Sequence, residues 1–224
     1  FSFIPNTAEV AFYGMIKGLE QKLNEIKQEQ LLAQKEQLNP ELIHDILAQT
    51  VRVEKLTVKD EKLRTFIADD NARGQMVSYV YDVTYGIVQN EVDTLVLIDD
   101  SIVRGTTLRD SIISILATLR PKKIIIVSSA PQIRYPDCYG IDMSKMKEFV
   151  AFRALVELLQ ENHKSHLLEE TYQQCKEEEL KPIHAIENKV KTLYDQFTEE
   201  QISDKIAELI TPPDIFPEVK VIFQ

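Results

Sequence analysis

Two adjacent carboxylates, Asp99 and Asp100, close an apolar run and open a loop rich in hydroxyl side chains. The run is Leu95-Val96-Leu97-Ile98, and the loop continues as Ser101-Ile102-Val103-Arg104-Gly105-Thr106-Thr107. Carboxylates in this position can bind sugar hydroxyls or a cation, and backbone amides at the start of a following helix can bind a phosphate. The order of residue types over 99–107 therefore indicates a site for a phosphorylated sugar.

The loop itself has the features of an anion site. Gly105 allows a positive φ and a close approach of the backbone to a ligand. The amides of residues 105–107 lie at the predicted start of a helix, where free N–H groups favour an anion, and Arg104 is a candidate further phosphate ligand. The alternative is that Asp99 and Asp100 only cap a turn, with Thr106 or Thr107 as a helix N-cap. The chain contains neither GxxxxGK[ST] nor GxGxxG, which excludes two other phosphate-binding loops.

The elements around this loop predict a strand, a helix and a second strand. Four consecutive aliphatic residues bounded by polar ones are typical of a strand that is covered on both faces. From Leu108 to Leu119 the apolar residues recur at helical spacing, and Arg120-Pro121 ends the pattern. A second aliphatic run, Ile124–Val127, follows. In such a βαβ unit, ligands bind beyond the carboxyl ends of the strands, where 99–107 would lie.

The rest of the chain predicts an α/β fold with a mostly parallel twisted sheet flanked by helices. A helical hairpin is expected as an insert over about residues 17–50, with its second helix beginning at Asn39-Pro40. Alternation over 75–88 predicts a half-buried strand. We therefore expect one domain over 1–150 and a mainly helical extension over 151–224, which holds a capping box at Thr198 and a final short strand.

Composition excludes several classes of partner. A net charge of −10 and a pI near 5.0 argue against nucleic acid as a ligand. The two cysteines, Cys138 and Cys175, form neither a disulfide framework nor a metal-binding spacing, so a reducing cytoplasm is expected. His163 and His166 have a helical spacing suited to a metal, but no third ligand is nearby. No apolar stretch is long enough for a membrane span.

The segment Leu95–Thr107 resembles the 5-phosphoribosyl-1-pyrophosphate (PRPP) motif of type I phosphoribosyltransferases. Its Ser-Ile-Val-Arg-Gly-Thr-Thr form is similar to that of the amidophosphoribosyltransferase family. Three further segments agree in order: residues 4–7, Lys59 with residues 64–67, and residues 128–142. The resemblance covers about residues 1–15 and 56–150, and it implies a type I phosphoribosyltransferase fold for that part.

The resemblance implies roles for the matching residues. Asp99 and Asp100 would hold the ribose hydroxyls of PRPP and lie beside the Mg²⁺ that accompanies it. Lys59 and Arg64, on a mobile loop, would act catalytically on the pyrophosphate. The residues implied to bind PRPP are Asp99, Asp100, Ser101, Arg104, Gly105, Thr106 and Thr107.

The implied activity is a PRPP-dependent transfer in purine synthesis, which forms 5-phosphoribosylamine and pyrophosphate from PRPP and ammonia. Such enzymes obtain the ammonia from an N-terminal glutaminase domain that begins with a cysteine nucleophile. This chain begins Phe1-Ser2, so we expect it to be the C-terminal part of a longer cytoplasmic enzyme. A homo-oligomer and inhibition by a purine nucleotide are also implied.

Two departures from the family pattern leave other functions open. Ala8 stands where the family offers a second small hydroxyl residue, and Asp60 and Glu61 place negative charge in the loop before Arg64. One alternative is a salvage-type phosphoribosyltransferase that uses a purine or pyrimidine base. The other is a regulatory module that binds PRPP or a nucleotide without turnover.

Overall fold

Four parallel strands form the central sheet in a computed structural model, which describes residues 1–5, 7–59, 81–137 and 143–224. The sheet order is β1-β4-β5-β6, and β2 and β3 form a separate antiparallel pair. The strands are β1 (Ser2–Phe3), β2 (Thr57–Lys59), β3 (Tyr81–Val83), β4 (Thr94–Asp99), β5 (Lys123–Ser128) and β6 (Glu218–Phe223). The prediction of a parallel α/β sheet flanked by helices is confirmed.

Helices occupy most of the remaining described chain. Short 3-10 turns lie at Lys35–Gln37, Met146–Glu148 and Ile183–Ala185. The α-helices are α1 (Glu9–Ala33), α2 (Pro40–Ala48), α3 (Ser114–Ala117), α4 (Val150–Glu161), α5 (His166–Glu178), α6 (Lys191–Tyr194) and α7 (Glu199–Ile210). None of the helices in the described residues is both long and apolar enough to cross a membrane.

The strand–helix–strand unit predicted around Asp99 is present. Strands β4 and β5 pair in parallel, with Asp99 opposite Ser128 at their carboxyl ends. Leu97 of β4 and Ile126 of β5 are completely buried, as a sheet covered on both faces requires. The intervening helix differs in detail from the prediction, because after Thr106 and Thr107 it continues as a π-helical stretch over Leu108–Ile113 and then as α3. Apolar spacing alone does not distinguish these two helical pitches.

The C-terminal part of the chain completes the same sheet and core. Strand β6 pairs with β5 along its whole length, and helices α4 and α7 pack against each other. Buried residues of α4 and α7 share one hydrophobic cluster with those of β4 and β5. The sheet thus includes residues from both predicted segments, and the boundary at residue 150 stays a prediction.

A helical hairpin follows β1, as predicted, but its first helix begins at Glu9 rather than near residue 17. Ala8 and Phe12 are buried in a small cluster with Ile98 of β4, which fixes the first turns of α1 against the sheet. The second helix starts at the predicted cap, since the Asn39 side chain accepts a hydrogen bond from the Leu42 N–H at 2.9 Å. Of the strand predicted over 75–88, residues 75–80 lie outside the described part, and β3 is the observed remainder.

Candidate ligand-binding site at the end of strand β4

The carboxyl end of β4 brings together three oxygen-bearing side chains. Asp99 is the last residue of the strand, and Asp100 follows it in the loop. Thr7 lies just beyond the neighbouring strand β1, and its hydroxyl donates a hydrogen bond to Asp100 Oδ2 at 2.5 Å. Because β1 and β4 are parallel neighbours, their carboxyl ends meet at the edge where ligands bind in open α/β sheets.

The two aspartates also stabilise the turn locally. The Asp100 N–H donates to Asp99 Oδ1 at 3.0 Å, and the Ser101 N–H donates to Asp100 Oδ1 at 2.8 Å. The turn-capping role considered from the sequence is therefore present. The N-cap role is not seen at Thr107, whose side chain makes no capping hydrogen bond at the start of the helix. Each carboxylate oxygen has more than one lone pair, so accepting these hydrogen bonds is compatible with binding a ligand.

The environment of Asp99 disfavours its charge. Burial, and after it the neighbouring negative charge of Asp100, raise the pKa of the Asp99 carboxyl to about 7. Two carboxylates that repel each other are stabilised by a bound cation, and oxygen donors are the ligands that Mg²⁺ prefers. The pair therefore fits Mg²⁺. Within the described chain no group of three His, Cys, Asp or Glu side chains could hold a metal, so the ligand would have to supply further oxygens.

The loop after the aspartates surrounds a small cavity. Its volume is about 180 Å³, and it is lined by Asp99 and residues 101–108. Gly105 adopts a φ of +73°, a conformation that other residues rarely adopt. The Arg109 N–H donates to the Gly105 carbonyl at 3.0 Å, which marks the first turn of the helix. The amides of that first turn have no intrahelical acceptor, and they are the N–H groups that suit an anion.

Two C-terminal helices hold this loop in place. The Val150 N–H, at the start of α4, donates to the Val103 carbonyl at 2.8 Å. A Cβ added to Gly105 would lie only 2.6 Å from Ile210 Cγ2 of α7 and 3.5 Å from Val150 Cγ2. The position therefore needs glycine both for its φ and for its contacts. The C-terminal part of the chain thus shapes the loop that the sequence assigned to phosphate.

Arg104 lines the cavity and makes an ion pair that the sequence did not indicate. Its Nη2 lies 2.5 Å from Glu148 Oε2, in the 3-10 turn before α4. The other carboxylate oxygen, Oε1, lies 3.5 Å from Lys145 Nζ. Both members of the Arg104–Glu148 pair are about three-quarters buried. Arg104 is thus located at the loop as predicted, and its role as a phosphate ligand stays a prediction.

The segment after β5, residues 129–135, contacts both the site and the C-terminal helices. The Ser129 hydroxyl donates to the Asp100 carbonyl at 3.1 Å. Further along, the Arg134 guanidinium stacks over the Tyr194 ring at 4.9 Å. Tyr135 makes an edge-on contact with the same ring, so Tyr135 has a packing role. Residues 138–142, which carried part of the resemblance, lie outside the described residues.

The two predicted catalytic residues are placed only in part. Lys59 is the last residue of β2. Arg64 belongs to the segment 60–80, which lies outside the described residues. Their assignment to the pyrophosphate therefore stays a prediction.

Two residues at the site, Thr7 and Glu148, are absent from the set that sequence reasoning selected. Thr7 reaches Asp100 through the pairing of β1 with β4, and Glu148 reaches Arg104 from a 3-10 turn that follows β5 in the chain. The only sequence signal for Thr7 was its place in the 4–7 segment that resembles the family. Glu148 had no signal, because it lies in a charged stretch typical of a solvated surface.

Fold and site together define an α/β protein with a cavity-lining loop and paired carboxylates at one edge of a parallel sheet. Parts of the chain are similar to known amidophosphoribosyltransferases. A stretch of 58 residues is 48% identical to the enzyme of Haemophilus influenzae, and covers 26% of this chain and 11% of that protein. A longer stretch of 95 residues is 38% identical to the enzyme of Bacillus subtilis, and covers 42% of this chain and 19% of that protein. The resemblance to amidophosphoribosyltransferases is thereby confirmed.

Two solved structures that are similar to part of this chain have related descriptions. One, described as the allosteric regulatory enzyme of purine biosynthesis, is 33% identical, with a TM-score of 0.37 over 53% of this chain and 26% of its own. Another, glutamine PRPP amidotransferase from B. subtilis in complex with ADP and GMP, is 30% identical, with a TM-score of 0.35 over the same shares. No model of a protein family matches the chain. The chain thus matches only a minor part of each relative's length.

Proposed function

We propose that this chain is the PRPP-dependent transferase part of an amidophosphoribosyltransferase. It would form 5-phosphoribosylamine and pyrophosphate from PRPP and ammonia. The observation that carries the proposal is that Asp99 and the 101–107 loop line one cavity at the carboxyl edge of the sheet, with Asp100 hydrogen-bonded between them in the turn. The names of the partial relatives support the same reaction.

The acidic pair suits the sugar end of PRPP. Carboxylate oxygens of Asp99 and Asp100 would accept hydrogen bonds from the ribose hydroxyls, and the same pair would hold Mg²⁺ together with oxygens of the substrate. The bound Mg²⁺ would stabilise the negative charge of the pyrophosphate. Thr7 would orient Asp100, because its hydroxyl donates to Oδ2 of that carboxylate.

The loop suits the phosphate end. Amides at the start of the helix, together with the hydroxyls of Ser101, Thr106 and Thr107, would donate to the 5-phosphate. Charge-assisted hydrogen bonds of this kind each contribute roughly 1.5–3 kcal/mol. Arg104 would add positive charge at the cavity wall.

The chemistry requires charge stabilisation more than a covalent intermediate. The bond from C1 of the ribose to the pyrophosphate oxygen breaks, the bond from C1 to the ammonia nitrogen forms, and the nitrogen then loses a proton. The ribose becomes positively charged as the leaving group becomes negatively charged, so carboxylates near the ring and cations near the pyrophosphate lower the barrier. On the resemblance alone, we assign Lys59 and Arg64 to the pyrophosphate.

The wider context follows from the same proposal. The ammonia would come from a glutaminase domain of the full-length enzyme, which would be cytoplasmic and homo-oligomeric. Purine nucleotides would be its inhibitors. A complex of the B. subtilis enzyme with ADP and GMP supports nucleotide binding in such proteins.

The direct test is pyrophosphate release from PRPP and Mg²⁺, measured with ammonium, with free purine or pyrimidine bases, and with neither. Ammonium-dependent release would support the proposal. Base-dependent release would instead indicate a salvage enzyme, and saturable PRPP binding without release would indicate a regulatory module. Asp100→Asn should lower the rate at least about a hundredfold, as loss of a stabilising charge in a transition state does. Asp110→Asn is the matched control, because Asp110 is an exposed acid on the helix that follows the loop.

A further inference from the structure

We propose that Glu148 is a positioning residue for the phosphate loop, and that it acts by holding the Arg104 guanidinium at the wall of the cavity. This inference rests on the proposed function, because it concerns how the same site binds PRPP. Glu148 lies more than forty residues after Arg104 in the chain and belongs to a different element, the 3-10 turn before α4.

The geometry of the pair supports a fixed arrangement. Arg104 Nη2 and Glu148 Oε2 are 2.5 Å apart, and the two side chains are only 24% and 27% exposed. An arginine side chain has several rotatable bonds, and an ion pair at one of its nitrogens restricts them. The guanidinium carries five N–H donors, so the ion pair with Glu148 at Nη2 is compatible with binding an anion in the cavity that Arg104 lines.

The element that carries Glu148 is itself attached to the loop. Two residues after Glu148, the Val150 N–H donates to the Val103 carbonyl at 2.8 Å. Val150 is buried, and its side chain lies beside Gly105. The backbone that carries Glu148 therefore contacts the loop at Val103 and at Gly105, the two residues that flank Arg104.

Positioning and simple electrostatics predict opposite results for one substitution. If Glu148 only neutralised Arg104, then removing its negative charge would make the cavity more attractive to a phosphate. If Glu148 positions Arg104, the same change would weaken binding, because the guanidinium would lose its fixed place. The sign of the change in PRPP affinity therefore distinguishes a positioning role of Glu148 from a purely electrostatic one.

The experiment is calorimetric titration of the whole chain with PRPP in the presence of Mg²⁺. Glu148→Gln should raise the Kd for PRPP about tenfold, the scale of one charge-assisted contact. Glu148→Asp, which keeps the charge, should recover part of that loss. Lys145→Ala is the control, because it removes the other cation beside Glu148, and it should leave the Kd within about twofold of wild type.

A double-mutant comparison tests whether Glu148 acts through Arg104. Arg104→Ala alone should also raise the Kd about tenfold, and adding Glu148→Gln to it should have no further effect. Additive losses, or an unchanged or lower Kd for Glu148→Gln in a variant with a wild-type melting temperature, would overturn the inference while leaving the proposed function intact. Absence of PRPP binding by the wild-type chain would overturn both.

Discussion

Gly105 and Ile210 approach each other so closely that a Cβ on Gly105 would lie 2.6 Å from Ile210 Cγ2. Gly105 belongs to the loop after β4, and Ile210 is the last residue of α7. Ile210 is 1% exposed, so it has little room to move away. The C-terminal helix therefore determines how close the loop backbone can lie to the core.

Gly105→Ala should lower the free energy of unfolding by about 2–4 kcal/mol, since the added methyl meets both a positive φ and a filled space. Gly86→Ala is the matched control. Gly86 has a φ of +81° but no atom within 4 Å of an added Cβ, so Gly86→Ala should lower the free energy of unfolding by only about 1 kcal/mol, from backbone strain. Urea unfolding measures the free energy of unfolding of both variants. Equal losses would mean that the Ile210 contact has no role in the loop.

The raised pKa of Asp99 predicts a pH dependence of stability. In the unfolded chain this carboxyl titrates at its ordinary pKa of 3.8, and in the folded protein at about 7. Between these values the folded state keeps a proton that the unfolded state has released, so the free energy of unfolding falls as pH rises from about 4 to about 7. The fall is at most about 1.4 kcal/mol for each pH unit.

Asp99→Asn isolates this contribution, because its side chain does not titrate. Its free energy of unfolding, relative to wild type, should rise between pH 4 and pH 7 and stay level above about pH 8. Chemical unfolding of both proteins at several pH values gives the difference. A difference that does not vary with pH would show that Asp99 titrates normally in the folded protein.

Helix α1 contains two exposed glycines, Gly14 and Gly18, in a helix of 25 residues. Neither has an atom within 4 Å of an added Cβ. Gly14→Ala and Gly18→Ala should each stabilise the helix by about 0.5–1 kcal/mol, since alanine has less backbone freedom to lose. Melting temperatures measured by circular dichroism should rise for each variant. A decrease would indicate that α1 is not helical through these positions.

The N-terminus of α7 is closed by a reciprocal pair of hydrogen bonds. The Gln201 N–H donates to the Thr198 hydroxyl at 3.1 Å, and the Thr198 N–H donates to Gln201 Oε1 at 2.8 Å. Thr198→Ala should lower the free energy of unfolding by about 1 kcal/mol. Thr198→Ser keeps the hydroxyl and should therefore retain most of the stability that the cap contributes. Denaturant titration of the two variants measures this, and equal losses would contradict a capping role.

Local patterns predicted the elements that carry the site. The aliphatic runs of β4 and β5 were recognisable because a buried parallel strand needs apolar residues on both faces. The caps at Asn39 and Thr198 were recognisable for a similar reason, since a helix start needs a side-chain acceptor within three residues. Such features depend on neighbours in the chain, and the sequence contains them directly.

Contacts between distant segments were not predictable in this way. The bond from Thr7 to Asp100 depends on β1 pairing with β4 in a specific register. The ion pair of Arg104 with Glu148 depends on where α4 begins. A single sequence carries no signal for such pairings, because many registers satisfy the same apolar pattern. The π-helical pitch of Leu108–Ile113 was also not predicted, since π-helical and α-helical turns share nearly the same apolar spacing.

PRPP is proposed to bind at the edge of the sheet after β4. A crystal structure of the chain with PRPP and Mg²⁺ would show whether it does. We expect the 5-phosphate within hydrogen-bonding distance of the amides of residues 105–107, and ribose hydroxyls or Mg²⁺ at the carboxylates of Asp99 and Asp100. PRPP bound at another place, with this loop and both carboxylates free of ligand, would refute the proposed site.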